Sequence, residues 1–397
     1  MMKFLFLCNK SPWPAHEGGP IAMNSIIQGL LNAGHQVKIL AVNSDKYKVK
    51  QKDIPTEYQN KTGIELIHIN LSVNPLHAFL NLFTNTSYHV QRFISKQFDE
   101  HLTHILQHET FDVVQFETVF MAPYISTVQK YSKAKLILRA HNIEHLIWER
   151  LAASEANPLK KWYLQHLSRT LKEYELQILD KFDGIAAITP ADAGFFKKNT
   201  SKPTIDIPFG IDSAKYKPCN LIGDFPSLFH LGSMNWIPNE EGIKWFLEKV
   251  WPIVNERHPT LKLYLAGRFM PEWLLKIQRR NVEVVGEVDD AQQFICSKSI
   301  AIVPLLSGSG IRIKIIEAMA LGKAVVSTSI GAEGISVKSG TDLLLADDPI
   351  DFASAIDSLV NNQKLTSELG ANARLRIEEN YDNRKIIRKY CDWLGKV

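Results

Sequence analysis

Residues 307–320 read Ser-Gly-Ser-Gly-Ile-Arg-Ile-Lys-Ile-Ile-Glu-Ala-Met-Ala. They follow an apolar run, 300–306, that reads as a buried parallel strand, while Ile311, Ile315, Ile316 and Met319 recur at helical spacing. The turn Gly308-Ser309-Gly310 therefore joins a strand end to a helix start. The first N–H groups of a helix have no intrahelical acceptor, and together with the helix dipole they favour an anion. Arg312 and Lys314 add two full positive charges to that field, and Glu317 lies one turn further on. A carboxylate there could accept hydrogen bonds from a ribose diol. Phosphate donors beside a diol acceptor are what a nucleotide diphosphate sugar requires.

Such a segment needs a strand-turn-helix frame, and the chain offers two. Strands are expected at 4–8, 37–42, 64–69, 113–116, 136–138 and 184–188, with a helix over 21–33 stopped by Gly34. The first strand, that helix and the second strand form a βαβ unit, so the sheet is expected to be parallel. A second alternating series follows Pro208-Phe209-Gly210-Ile211-Asp212, with strands at 228–231, 261–266, 282–285, 300–306 and 324–328. Helical spacing recurs over 159–179 and 383–393.

Composition sets the outer bounds. The 397 residues suit two domains, and 45% hydrophobic with 22% charged residues is a globular composition. A net charge of +4 argues against nucleic acid as a partner. Cys8, Cys219, Cys296 and Cys391 show no paired spacing, which fits reduced thiols and a cytoplasmic location. The apolar N-terminal run is too short for a signal peptide, and no stretch approaches the ~20 apolar residues of a membrane span. Two basic stretches, Lys46 to Lys52 and Lys160-Lys161 beside Trp162 and Tyr163, could touch anionic lipid at the inner membrane face or lie on solvated faces.

The 307–320 segment resembles the donor signature of retaining GT-B glycosyltransferases of family 4. Glu317-Ala318-Met319-Ala320 matches its second half, and Ser309 stands where many members carry a first Glu. Arg312 and Lys314 resemble a sub-branch with Arg-x-Lys after the Gly-rich turn. The loop Gly232-Ser233-Met234-Asn235-Trp236-Ile237-Pro238-Asn239 resembles that sub-branch's Gly-Ser-Met-x-Trp-x-Pro-Asn. The resemblance implies an α/β protein with two doubly wound Rossmann-like domains facing a cleft: an acceptor-side domain over 1–207, a nucleotide-sugar domain over 208–380, and a helix over 381–397 crossing back to the first.

By the same resemblance, Gly19, Gly232, Ser233, Asn235, Arg268, Gly286, Gly308, Ser309 and Gly310 contact the donor, and Gly18 and Glu117 the acceptor. His141 occupies the family's His position near the reacting sugar carbon, and joins Arg312, Lys314 and Glu317 as the catalytic set. Plainer readings stand beside these. His141 could cap a helix, Asn239 and Asp289 or Asp290 could be N-caps, Arg268 could be solvated, and Gly18-Gly19 could be a simple turn.

The chain has no Asp-x-Asp, and its His residues lack metal-ligand spacing, so no metal and no cofactor are expected. The implied activity is transfer of a hexose from a nucleotide diphosphate sugar to a glycan or lipid-linked acceptor. The alternatives are a sugar-nucleotide epimerase and a non-catalytic sugar-nucleotide-binding subunit, the latter favoured by Ser309.

Overall fold

A computed structural model describes residues 1–15, 18–84, 86–219, 224–308 and 311–397, without the side chain of His77. The chain divides into two compact units: Met1–Gly210 with Ile386–Val397, and Ile211–Lys385.

The first unit is built on seven parallel strands: β1 (Lys3–Cys8), β2 (Gln36–Asn43), β3 (Glu65–His68), β4 (Val113–Glu117), β5 (Lys135–Ala140), β6 (Gly184–Ala187) and β7 (Thr204–Asp206). Their order is β3-β2-β1-β4-β5-β6-β7. Both faces are covered, so β1 and β4 are near-continuous apolar runs rather than alternating ones. Phe4, Phe6, Val113 and Ile137 point to one face, against Met23 and Ile26 of helix Gly18–Asn32 and Ile387, Tyr390 and Leu394 of helix Asn383–Leu394. Leu5, Leu7, Val114, Phe116 and Leu138 point to the other, against Leu102 and Ile105. Each such buried side chain contributes roughly 1.5–3 kcal/mol. The terminal helix is also tied by Tyr390 Oη, which donates to Gln115 Oε1 at 2.5 Å, and by its Leu394 carbonyl, which accepts from Lys135 at 2.8 Å.

The second unit repeats the plan with six strands: β8 (Ser227–Leu231), β9 (Lys262–Ala266), β10 (Val282–Gly286), β11 (Ile300–Val303), β12 (Ala324–Ser327) and β13 (Leu344–Leu345). Their order is β10-β9-β8-β11-β12-β13, all parallel. Leu228, Leu263, Ile300, Ile302 and Val326 pack with Phe246, Trp251 and Phe352. In each sheet the strand order reverses once, between β1 and β4 and between β8 and β11. Open α/β sheets bind ligands outside the carboxyl ends of strands at such a reversal.

Three expectations need correction. The strand expected over 300–306 ends at Val303, because Pro304 has no N–H for the ladder. The edge strands β7 and β13 were not anticipated, since three and two residues are too short for a periodic signal. Cys219 and Cys296 are joined as a disulfide, while Cys8 and Cys391 are free, so the expectation of four reduced thiols fails for that pair. Seventy-seven residues separate the two cysteines, and only the fold brings them together. No helix among the described residues is long and apolar enough to cross a membrane.

Candidate functional site

In the second unit, the exits of β8 and β11 lie side by side. Helix Ile313–Ala320 starts after the β11 exit, with Arg312 at its N-cap position and Lys314 in its first turn. Ser309 and Gly310, expected on the donor, lie outside the described residues.

Lys314 Nζ is enclosed by the end of β8. It donates to Asn239 Oδ1 at 2.6 Å and lies 3.4 Å from His230 Nε2. His230 Nδ1 is 3.0 Å from the Ile302 carbonyl, so Nδ1 carries the proton and Nε2 is left to accept from Lys314. A Cβ on Gly232 would stand 2.6 Å from Lys314 Nζ and 2.9 Å from His230 Nε2, so a larger residue there would displace these side chains. Burial and then the Arg312 charge push the Lys314 pKa down to about 7. Burial, followed by the Lys314 charge, also lowers the His230 pKa well below its ordinary value. This is a cationic centre held by neutral partners.

Arg312 is buried and lies over the Trp236 ring, 5.1 Å from its centroid. Gly308 permits that stack. Its φ is +110°, and a Cβ would stand 3.0 Å from both Arg312 Nη2 and Trp236 Cζ2. Glu317 accepts from Tyr216 Oη at 3.0 Å, and burial raises its pKa despite that bond. Ser233 Oγ donates to Asn235 Oδ1 at 2.8 Å, beside Asn239, whose amide donates to the Ser233 carbonyl at 2.7 Å. Asn239 is thus no N-cap. It lies inside helix Ile237–Trp245, its side chain bridging loop and lysine. Asp290 does cap its helix, accepting from the Gln293 N–H at 3.0 Å.

Arg268 is half exposed and pairs with Glu287 at 3.0 Å, on the loop that follows Gly286. The Gly267 N–H donates to the Gly286 carbonyl at 2.7 Å, joining those two strand exits. Arg268 therefore lies at the β9–β10 edge of the sheet, bonded to a carboxylate.

In the first unit, His141 follows β5 and Glu117 ends the neighbouring strand β4. His141 Nε2 and Glu117 Oε2 are hydrogen-bonded. Glu117 is fully buried and also accepts from Gln115 Nε2 at 2.5 Å, with Arg139 Nε 3.9 Å away. Strand alternation turns residues 115 and 117 to the helix-covered face that Arg139 and Tyr390 also occupy. Arg139 is fully buried, and its three guanidinium nitrogens have no hydrogen-bond partner among the described residues. Its charge is balanced by Glu117.

Beyond His141, Glu175 accepts from the Glu144 and His145 N–H groups at 3.0 and 3.2 Å and so ties down the start of helix Glu144–Ser154. Burial, then the Glu175 charge, raises the Glu144 pKa to about 8. Gly18 and Gly19 open the 15-residue helix Gly18–Asn32, where N–H groups lack intrahelical acceptors.

Sequence reasoning missed His230, Tyr216, Gln115 and Arg139. The available signals were a histidine, a glutamine and an arginine inside the apolar strands Ser-Leu-Phe-His-Leu, Val-Val-Gln-Phe-Glu and Lys-Leu-Ile-Leu-Arg-Ala, since buried polar side chains need polar partners.

Residues 225–362 match the family model for glycosyl transferases group 1. A Klebsiella pneumoniae protein described as an uncharacterized 44.6 kDa protein in the cps region is 25% identical over 98% of both chains. An uncharacterized glycosyltransferase of Methanocaldococcus jannaschii is 23% identical, over 70% of this chain and 74% of its own. Among solved structures, Anabaena HepE in complex with UDP covers 100% of both chains with a TM-score of 0.70 at 16% identity. The same protein with UDP-glucose gives 0.67 at 15%, again over 100% of both. The two parallel sheets and this likeness define the fold as GT-B. The chain is an enzyme of the glycosyltransferase class, and its second unit carries the group 1 match.

Proposed function

We propose that the chain is a retaining family 4 glycosyltransferase that works without a metal. It moves a hexosyl group from a nucleotide diphosphate sugar to a glycan or lipid-linked acceptor in polysaccharide or glycoconjugate synthesis. The second unit takes the donor and the first the acceptor. The observation that carries this reading is the enclosed Lys314, held by Asn239 and His230 beside Arg312 at one helix start. A buried cation with neutral partners is costly unless an anion joins it. Glu317, oriented by Tyr216 one turn on, is a diol acceptor.

In the reaction the bond from the anomeric carbon to the diphosphate oxygen breaks, and a bond to an acceptor hydroxyl forms on the same face. The hydroxyl proton passes to the departing phosphate. Lys314, Arg312 and the helix dipole stabilise the charge that develops on that phosphate. His141, held by Glu117, hydrogen-bonds the sugar near its reacting carbon. UDP-glucose is the first donor to test, because HepE is solved with it. Exposed Leu159 and Trp162 beside Lys160 and Lys161 support peripheral contact with an anionic membrane surface.

The test is a thermal-shift screen of UDP-, GDP- and CMP-sugars followed by product analysis with acceptor present. The right donor alone raises the melting temperature. Turnover persists in EDTA, and the product keeps the donor's anomeric configuration. A panel without any stabilising donor would refute the reading, as would inverted product or activity lost to EDTA and restored by magnesium.

A further inference from the structure

The first unit contains a cavity of about 440 Å³ between the segment after β3 and the short helix Tyr88–Gln91. Among the described residues it is lined by four side-chain amides, three hydroxyls, Leu80 and Arg92, with no Asp or Glu. Its walls are prearranged. Asn81 is buried, and its Nδ2 lies within reach of Thr84 Oγ1 at 3.0 Å and the Thr86 carbonyl at 2.9 Å. Tyr88 Oη accepts from the Asn74 N–H at 3.0 Å and lies 3.3 Å from the Asn74 carbonyl.

Arg92 stands at this wall with its guanidinium 5.5 Å from the Tyr88 ring centroid. Nη1 donates to the Leu71 carbonyl at 2.7 Å, and Nε is buried without a hydrogen-bond partner. No carboxylate among the described residues pairs with Arg92. Amides and hydroxyls at short spacing supply alternating donors and acceptors, which suits a ligand dense in hydroxyl groups. The guanidinium adds a planar fork that matches a carboxylate.

We infer that this cavity binds an acidic saccharide unit, its carboxylate on Arg92 and its hydroxyls on the surrounding amides. The choice of a saccharide rests on the glycosyl-transfer reading, and the cavity then selects uronate-bearing acceptors. Neutral walls with one cation explain why a free inorganic anion is a poorer fit than a sugar acid.

Isothermal titration of the whole chain tests this without any donor, so its failure is distinguishable from failure of the transferase reading. The probes are tetragalacturonate, a glucuronate-containing tetrasaccharide, neutral maltotetraose and inorganic phosphate. At least one acidic tetrasaccharide is expected to bind, with maltotetraose weaker by about tenfold or more. Arg92→Gln, which can still donate to Leu71, loses that preference, and Arg92→Lys keeps part of it. UDP affinity is unchanged in both variants. No binding of either acidic probe would overturn the inference. So would equal affinity in Arg92→Gln, or displacement of the saccharide by equimolar phosphate.

Discussion

Lys314 donates to Asn239 Oδ1 at 2.6 Å, joining the helices that follow β11 and β8. The partner is a neutral amide rather than a carboxylate. Burial, and then the Arg312 charge, hold the ammonium at pKa about 7, against an ordinary 10.5, and a neutral amide does not offset them. An arriving diphosphate supplies the missing negative charge and favours the protonated form.

UDP binding is therefore expected to take up protons. At pH 8 the free protein has Lys314 mostly neutral, whereas the complex holds it charged. Titrations in buffers of different ionisation heat should give an uptake approaching one proton, absent in Lys314→Met. The sign for stability is opposite. The folded pKa is depressed, so the unfolded chain binds more protons between about pH 7 and 10.5, and this group makes the free protein gain stability as pH rises across that window. No uptake at pH 8 would mean the lysine charge is not created by the ligand.

Glu317→Ala is expected to weaken UDP-sugar binding severely while the far-ultraviolet circular dichroism stays that of the wild type. Tyr216→Phe removes one hydroxyl donor to Glu317 and leaves the carboxylate, so its loss is smaller, about fivefold. Competition titration of the two variants checks the ranking. A tyrosine variant as damaged as the glutamate variant would assign the main contact to Tyr216 instead.

Glu117 is buried behind His141, and its partners are Gln115, His141 and Arg139. Glu117→Gln keeps the shape and removes the charge that fixes the imidazole. A fall in kcat of about tenfold or more with unchanged UDP affinity is expected. Because Arg139 is left without its counter-charge, a lower melting temperature should accompany it. Unchanged kcat would reduce the pair to a packing feature.

The Cys219–Cys296 bond closes 77 residues of chain. Thiol titration of the denatured, unreduced protein should find Cys8 and Cys391 alone. Cys296→Ser should lower stability by roughly 2–4 kcal/mol, a difference that disappears once the wild type is reduced. Four titratable thiols would contradict the bond.

The strand over 300–303 and the helix that Arg312 and Lys314 open were readable because their signals are local: an apolar run, then cations and apolar residues at helical spacing. The two sheets were readable for the same reason, through apolar runs cut by glycine and proline. The partners that tune the site were not. His230 acquires its tautomer from the Ile302 carbonyl, 72 residues away, and Tyr216 reaches Glu317 across 101. Glu117 read as a strand-end carboxylate, and only the β4–β5 pairing turns it behind His141. Those relationships come from strand order, which spacing along the chain does not encode.

The central claim is that the second unit holds a nucleotide diphosphate through Lys314. Parallel titrations of wild type and Lys314→Met with UDP and with uridine test it most directly. The account predicts at least about a hundredfold loss of UDP affinity in the variant, with uridine, which lacks phosphate, bound equally weakly by both. Equal UDP affinity for the two proteins would contradict it.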